Sequence, residues 1–332
     1  MYSIHASAQH PPIFPLAMQL KENRVWIDGC FDFTHHGHSG AILQARRTIP
    51  LDQQQGAALI CGVHNDADIE FNKGGKPVMQ EEERYEHTLS NRWCDEIVRD
   101  APYVTDHRVL DAYGCKYVVH GDDITLDHDG KDCYQEMKDM GRFKVVKRTE
   151  GVSTTEIIDR ILRDKGQNPH TGEVDSEALK RYSSDKSGYR PWCWVFGRDF
   201  DDVVVEGRGQ LGNGNQWTVV QESDGFDLFN VGHIQQLRKL KEQGKLVCCS
   251  MGTDPARHVY MTLEERCLSV LSCEYVDAVV LKPEPQLTAG HSTSTDTVTI
   301  TTSLKPEIIN RISVNRDHYV KRNIKKGVTY DH

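Results

Sequence analysis

No stretch of this sequence is both long and apolar enough to cross a bilayer: 38% of its 332 residues are apolar, but they are dispersed, and mean hydropathy is −0.58. Basic charge is also in short supply. With 40 Lys and Arg against 49 Asp and Glu, the formal charge of −9 excludes broad contact with a nucleic-acid backbone, which draws its affinity from clustered cations. Any phosphates bound are expected to be few and local. A Cys-x-x-Cys pair is missing as well, although ten cysteines are scattered along the chain, several inside apolar runs. That pattern reads as buried thiols in a reducing cytoplasm rather than a zinc or redox motif. Residues 1–20 carry Pro11, Pro12 and Pro15 among His and Ser, with neither the basic region nor the apolar stretch of a secretory signal. They read as a flexible tail.

What is present is enough apolar material for two cores, since a chain of this length suits two domains of roughly 150 residues. The first half alternates strand-like and helix-like patterns. Val25-Trp26-Ile27 leads to a turn at Asp28-Gly29, then Ile42, Ala45 and Ile49 recur at helical spacing, and Ala57 to Val63 reads as a buried strand. This βαβ opening predicts a parallel sheet of the α/β class. Lys116 to His120 and Phe143 to Lys147 read as further strands, the second followed by a Gly-containing loop and a helix from Glu156 to Arg163.

The second half repeats the order. Phe31-Asp-Phe-Thr-His-His-Gly-His38 answers to Phe226-Asp-Leu-Phe-Asn-Val-Gly-His233, Glu82-Glu-Arg84 to Glu264-Glu-Arg266, and Glu156-Ile-Ile-Asp-Arg-Ile161 to Glu307-Ile-Ile-Asn-Arg-Ile312. Three matches in one order indicate an internal duplication. The interval between partners shortens from match to match, so the second copy has lost a few residues before its Glu-Glu-Arg helix and about thirty after it. The expected domains are 21–163 and 194–327, joined by a polar linker at 164–193. Gly207 to Asn215 reads as an irregular patch, and Thr288 to Ser303 as a poor strand or disorder.

Two segments of the first copy carry chemistry. His35-His36-Gly37-His38 lies where a strand turns into a helix, so backbone N–H groups and the helix dipole favour an anion there. His35 and His38 face the same way, and Gly37 is expected to let a phosphate approach the backbone. Spacing alone does not separate this from a surface histidine cluster or a metal site. Arg148-Thr-Glu-Gly-Val-Ser-Thr-Thr155 is a second strand-to-helix loop, where Ser153 or Thr154 can cap the helix and Arg148 offers a forked donor. By itself it is equally an ordinary capped loop. Together, both loops follow strands of a parallel sheet, the side where ligands bind, and two anion cradles suit a triphosphate. Lys73, beside Gly74-Gly75, reads as a mobile loop cation able to close over it.

The H-x-G-H of His35 to His38 and the R-T-E-G-V-S-T of Arg148 to Thr154 resemble the two signatures of the cytidylyltransferases, the family that includes the choline-phosphate, ethanolamine-phosphate and glycerol-3-phosphate enzymes. The run from Lys116 to Thr125 and the two-copy layout are most similar to the ethanolamine-phosphate branch. The resemblance implies two tandem Rossmann-like parallel-sheet domains, the second degenerate, with CTP and phosphoethanolamine as substrates and Mg²⁺ carried on the CTP. It implies that His35 and His38 stabilise charge on the α- and β-phosphates, and that Lys73 and Arg148 grip the triphosphate. Cys30, Phe31, His120, Gly121 and Asp122 would lie along the nucleotide, with Thr149, Ser153 and Thr154 at its phosphate end. Asp28, Tyr103 and Tyr134 would face the amino-alcohol head, where a carboxylate and aromatic faces hold a cation. Read from the residues alone, Asp28 is also a plain turn residue and the two tyrosines plain packing.

A phosphomonoester is mostly dianionic at neutral pH, its second pKa being about 6, so it needs no general base. The second copy is expected to be inactive: Asn230 replaces His35, Thr299 falls where Arg148 does, Pro255 falls near Lys73, and the lost segment includes the partner of His120 to Tyr134. Competing expectations are phosphocholine as acceptor, ATP as nucleotide donor, and a nucleotide-sensing protein without turnover. The basic end from Lys321 to Lys326 is too short for an amphipathic membrane helix. A homodimer is compatible with the sequence.

Overall fold

The computed structural model describes residues 18–149, 151–167, 173–208, 217–283 and 296–330. Most of the expected tail, the patch at 209–215 and residues 288–295 lie outside the described residues. In chain order the first copy runs β1 (Lys21–Gly29), α1 (His36–Arg47), β2 (Ala58–Val63), α2 (Asp66–Lys73), α3 (Glu81–Leu89), β3 (Glu96–Arg99), α4 (His107–Ala112), β4 (Cys115–Gly121), α5 (Gln135–Asp139), β5 (Phe143–Val146) and α6 (Thr154–Leu162). Its five strands form an all-parallel sheet in the order β3-β2-β1-β4-β5. The order reverses between β1 and β4. A crevice must therefore open at the carboxyl ends of these central strands, which is where the two signature loops begin.

The second copy runs β6 (Trp194–Phe196), β7 (Val203–Val205), β8 (Trp217–Gln221), α8 (Val231–Glu242), β9 (Leu246–Ser250), α9 (Leu263–Leu271), β10 (Ala278–Val280), β11 (Asp296–Thr299), α10 (Lys305–Val314) and α11 (Arg316–Lys325), after a connecting helix α7 (Ser176–Tyr182). Its six-stranded sheet has the order β11-β8-β9-β10-β6-β7, parallel except where β7 turns back on β6. β8 matches β1. β11 pairs directly with β8 and so takes the place of β4, although it leads to α10, the counterpart of α6. The lost segment thus removed one strand of the sheet.

The duplication is visible atom by atom. Asp32 accepts from the amides of Val78 and Met79 at 3.0 and 2.9 Å, and Asp227 accepts from Tyr260 and Met261 at 2.9 Å each. Phe31 and Phe33 sit at positive φ (44° and 52°), and so do Phe226 and Leu228 (63° and 49°). Left-handed backbone at bulky residues is strained, and it persists because the buried aspartates over-determine the turn.

One apolar core runs through both copies, from Val25, Ile42 and Cys61 to Phe226, Leu268 and Cys273. The interval read as a linker belongs to it: Ala178, Leu179 and Tyr182 of α7 are buried there, and the polar sequence between them is the solvent face of a short helix. A second cluster joins Val152, Ile157, Ile158 and Ile161 to Ile308, Ile312 and Tyr319.

Candidate active site

The carboxyl end of the first sheet opens into a cleft of about 560 Å³, within the range of small-molecule sites. Both signature loops line it. α1 is capped by His35, whose Nδ1 accepts from the Gly37 amide at 3.0 Å, while His38 Nδ1 accepts from the His35 amide at 3.4 Å. With each Nδ1 committed as an acceptor, the neutral rings carry their protons on Nε2. The rings lie 4.2 Å apart, centroid to centroid. Burial, with the neighbouring cations, pushes His38 down to about 3 and His35 well below the usual histidine range, so both are neutral Nε2–H donors at pH 7.

Ser153 caps α6, accepting from the Glu156 amide at 3.1 Å, and this capping starts the helix at Thr154, two residues before the sequence pattern does. Thr154 Oγ1 lies 3.4 Å from His35 Nε2, so the two loops meet. Gly37 lines the cleft and also serves that meeting. A Cβ there would stand 2.8 Å from both Val152 Cγ1 and His35 Cε1, so glycine is required for the loops to pack. Arg148 lies on the same cleft as His38, and among the described residues no carboxylate pairs with its guanidinium.

Lys73 is not a loop residue. It ends α2, where Gly74 closes the helix in the left-handed conformation (φ 72°), and its ammonium reaches into the cleft. Desolvation opposes its charge, but the Cys30 thiol, the Tyr103 hydroxyl and Asp32 together hold its pKa above the ordinary lysine value.

Asp28 likewise belongs to β1 rather than to a turn. Its carboxylate is buried and accepts from Trp26 Nε1 at 2.8 Å, Thr105 Oγ1 at 2.7 Å and the Tyr134 hydroxyl at 2.5 Å. Tyr103 stands opposite, its hydroxyl pushed up to about 12 by burial. The Tyr134 ring lies 4.5 Å from the His120 ring, tilted by 36°, and His120 also sits beside Thr125. Cys30, Phe31, Gly121 and Thr149 line the cleft too. Asp122 does not. It lies in an adjoining groove with Lys147 and Gly151, where its carboxylate accepts from the Arg148 amide at 3.4 Å.

Several residues that sequence reading passed over hold this site together. Arg84, fully buried, donates to the carbonyls of Cys30 and His64 at 2.7 Å each and so ties the ends of β1 and β2. The repeated Glu-Glu-Arg was its signal. His64 follows β2 into the cleft and packs 5.0 Å from the Tyr103 ring. Tyr182 of α7 donates to the His36 carbonyl at 2.7 Å. Ser269 of α9, in the second copy, accepts from the His36 amide at 3.1 Å. Nothing local in the sequence marks these last two.

In the second copy the corresponding crevice is filled. Lys305, standing where Thr154 does, places its ammonium 2.9 Å from both Asp224 and Asp227 and 2.6 Å from the His258 carbonyl. Asn230 replaces His35 as the helix cap, accepting from Gly232 at 3.0 Å and from Leu304 at 3.1 Å. His233 is wholly buried against Phe229, which lies 5.5 Å away and parallel.

Comparison with known proteins agrees with this geometry. The family described as cytidylyltransferase-like matches residues 26–160 and 225–323. An ethanolamine-phosphate cytidylyltransferase of Saccharomyces cerevisiae is 47% identical over 95% of this chain and 100% of its own length. One of Mus musculus is 36% identical over 80% of this chain and 72% of its own. Choline-phosphate cytidylyltransferase A of Mus musculus is 41% identical, but over only 42% of this chain and 37% of its own. Each copy contains one of the two matched segments, and the chain belongs to the cytidylyltransferase-like family.

Proposed function

We propose that the chain transfers the cytidylyl group of CTP to phosphoethanolamine, giving CDP-ethanolamine and pyrophosphate. The observation that carries this is the convergence of His35, His38, Lys73 and Arg148 on one cleft that Asp28, Tyr103 and Tyr134 also line. The first four suit a polyanion and the last three a small cation. Similarity to ethanolamine-phosphate enzymes over 80–95% of the chain, against 42% for a choline-phosphate enzyme, favours phosphoethanolamine as acceptor.

A dianionic phosphate oxygen of the acceptor attacks the α-phosphorus in line, and the bond to the β-phosphate oxygen breaks as pyrophosphate leaves. The protein contributes position and charge stabilisation. His35 and His38 donate from Nε2 to phosphate oxygens as charge moves outward, while Lys73 and Arg148 hold the leaving pyrophosphate. Ser153, Thr154 and Thr149 supply donors at the start of α6, and His120 and Gly121 lie along the nucleoside. Mg²⁺ enters with the nucleotide as part of the substrate. The triphosphate is its natural ligand, since a hard divalent cation prefers phosphate oxygens. A cytoplasmic location is the companion reading, supported by ten unpaired cysteines, nine of them buried.

The test is a pyrophosphate-release assay over CTP and ATP with phosphoethanolamine and phosphocholine as acceptors. Turnover should require CTP and favour phosphoethanolamine in kcat/KM. Equal or better use of phosphocholine, or of ATP, would overturn the assignment.

A further inference from the structure

The cleft has a wall that does not come from the first copy. His318, Arg322 and Lys326 recur every fourth residue along and just past α11, form one stripe, and line the cleft with Lys73 and Arg148. The helix is fixed there by its other face. Tyr319 is buried against α6 and α10, the Asn323 amide donates to the Thr155 carbonyl at 3.4 Å and the Tyr330 hydroxyl at 3.0 Å, and Arg316 donates to the Leu162 carbonyl at 2.7 Å. α11 is thus bolted to the very helix whose start forms a phosphate cradle. Its His318 ring also rests on Gly75, where any Cβ would overlap the ring, so α11 touches the turn that follows Lys73.

Arg322 is the telling residue. Its Nε and Nη2 are buried and have no hydrogen-bond partner among the described residues. Asp32 attracts it, but that carboxylate, which accepts from the Val78 and Met79 amides, makes no hydrogen bond to these two donors. A buried fork with donors unmade is costly, and the acceptor that satisfies it best is a two-oxygen anion such as a phosphate. Lys326 faces the same space. With Arg322, Lys73 and Arg148 it lines one void, and desolvation followed by repulsion from these three cations lowers its pKa.

We propose that Arg322 and Lys326, residues of the second copy, are nucleotide-binding residues of the first copy's site and hold the outer phosphates of the triphosphate. The active site is then composite, and the inactive copy persists because it completes the live one. This rests on the proposed cytidylyl transfer for the identity of the anion.

The experiment compares Arg322→Gln, Lys326→Gln and the control Lys325→Gln, an exposed lysine of the same helix that does not line the cleft. KM for CTP and for phosphoethanolamine are measured separately, with calorimetric binding of pyrophosphate alone. Each of the first two should raise KM for CTP and weaken pyrophosphate binding by roughly tenfold, the loss of one charge-assisted contact. KM for phosphoethanolamine should hold, and Lys325→Gln should match the unmodified chain. Unchanged CTP and pyrophosphate affinity in both variants would overturn the proposal, whether or not kcat falls. If Arg322→Gln does not fold, the exposed Lys326 carries the test. An unmodified chain that turns over no CTP, yet binds pyrophosphate in a Lys326-dependent way, would sink the proposed reaction and leave this anion site standing.

Discussion

The guanidinium of Arg160 grips Glu265 through two hydrogen bonds of 2.7 and 3.0 Å, and the duplicate pair, with the copies exchanged, is Arg311 on Glu83 at 2.6 and 2.8 Å. The copies therefore face each other as the halves of a symmetric dimer do, each lending the same surface. Near the centre of this relation Asn91 bridges Cys273.

Because the Arg160 pair is the more buried of the two, Glu265→Gln should cost more than Glu83→Gln. Removing one partner of a buried ion pair costs about 3–5 kcal/mol at the upper end, and these half-buried pairs should lose part of that. Urea unfolding followed by tryptophan fluorescence should show a lower midpoint and still one transition, since both sheets share a core. Two separated transitions in the unmodified chain would contradict the shared core.

Gly37→Ala should impair turnover more than stability. The added methyl collides with Val152 and His35 at 2.8 Å, forcing apart the two loops that cradle the phosphates. Overpacking of this kind costs about 1–3 kcal/mol. Trimming the obstacle in the double variant Gly37→Ala/Val152→Ala should recover part of the lost kcat/KM. An additive loss would mean that the two side chains do not compete for the same space.

His38→Ala should lower kcat by roughly a hundredfold to a thousandfold, the usual loss when a donor to a developing charge is removed. His233→Ala should instead lower stability, because His233 is wholly buried and packed on Phe229. The folded fraction of that variant should keep its kcat. Single-turnover rates scaled to the folded fraction separate the two effects, and matching losses would refute the inactivity of the second copy.

Acid should destabilise the protein before the carboxylates titrate. His36 is held down to about 4 and His38, His87 and His233 down to about 3, each chiefly by burial. Below the usual histidine value of about 6.5 the unfolded chain binds protons that the folded one refuses, so stability is full above that pH and is lost as pH falls. Between pH 7 and 5 each histidine that stays neutral should contribute a loss of roughly 2 kcal/mol. Urea midpoints across this range measure it. A flat profile would show that these imidazoles are protonated in the folded state.

The order of strands and helices and both signature loops were legible because they rest on short-range rules. Val25 to Ile27 and Ala57 to Val63 carry continuous apolar runs, Phe143 to Lys147 carries Phe143, Val145 and Val146 beside lysines, and Ser153 caps its helix with a neighbour three residues away. α7 was misread for a related reason. It buries only Ala178, Leu179 and Tyr182, so most of its short sequence is solvent face and looks like linker.

By itself the sequence determined the α/β architecture, the duplication, and a first copy armed with His35, His38, Lys73 and Arg148 where the second has lost its own histidine cap. Only the tertiary structure decided why Gly37 is glycine, that Lys305 plugs the second crevice, and that Tyr182, Ser269 and Arg322 reach the first. Those facts depend on contacts between residues dozens to hundreds of positions apart, and periodicity and capping act only over a few residues. The packing of one copy on the other brings such distant side chains together.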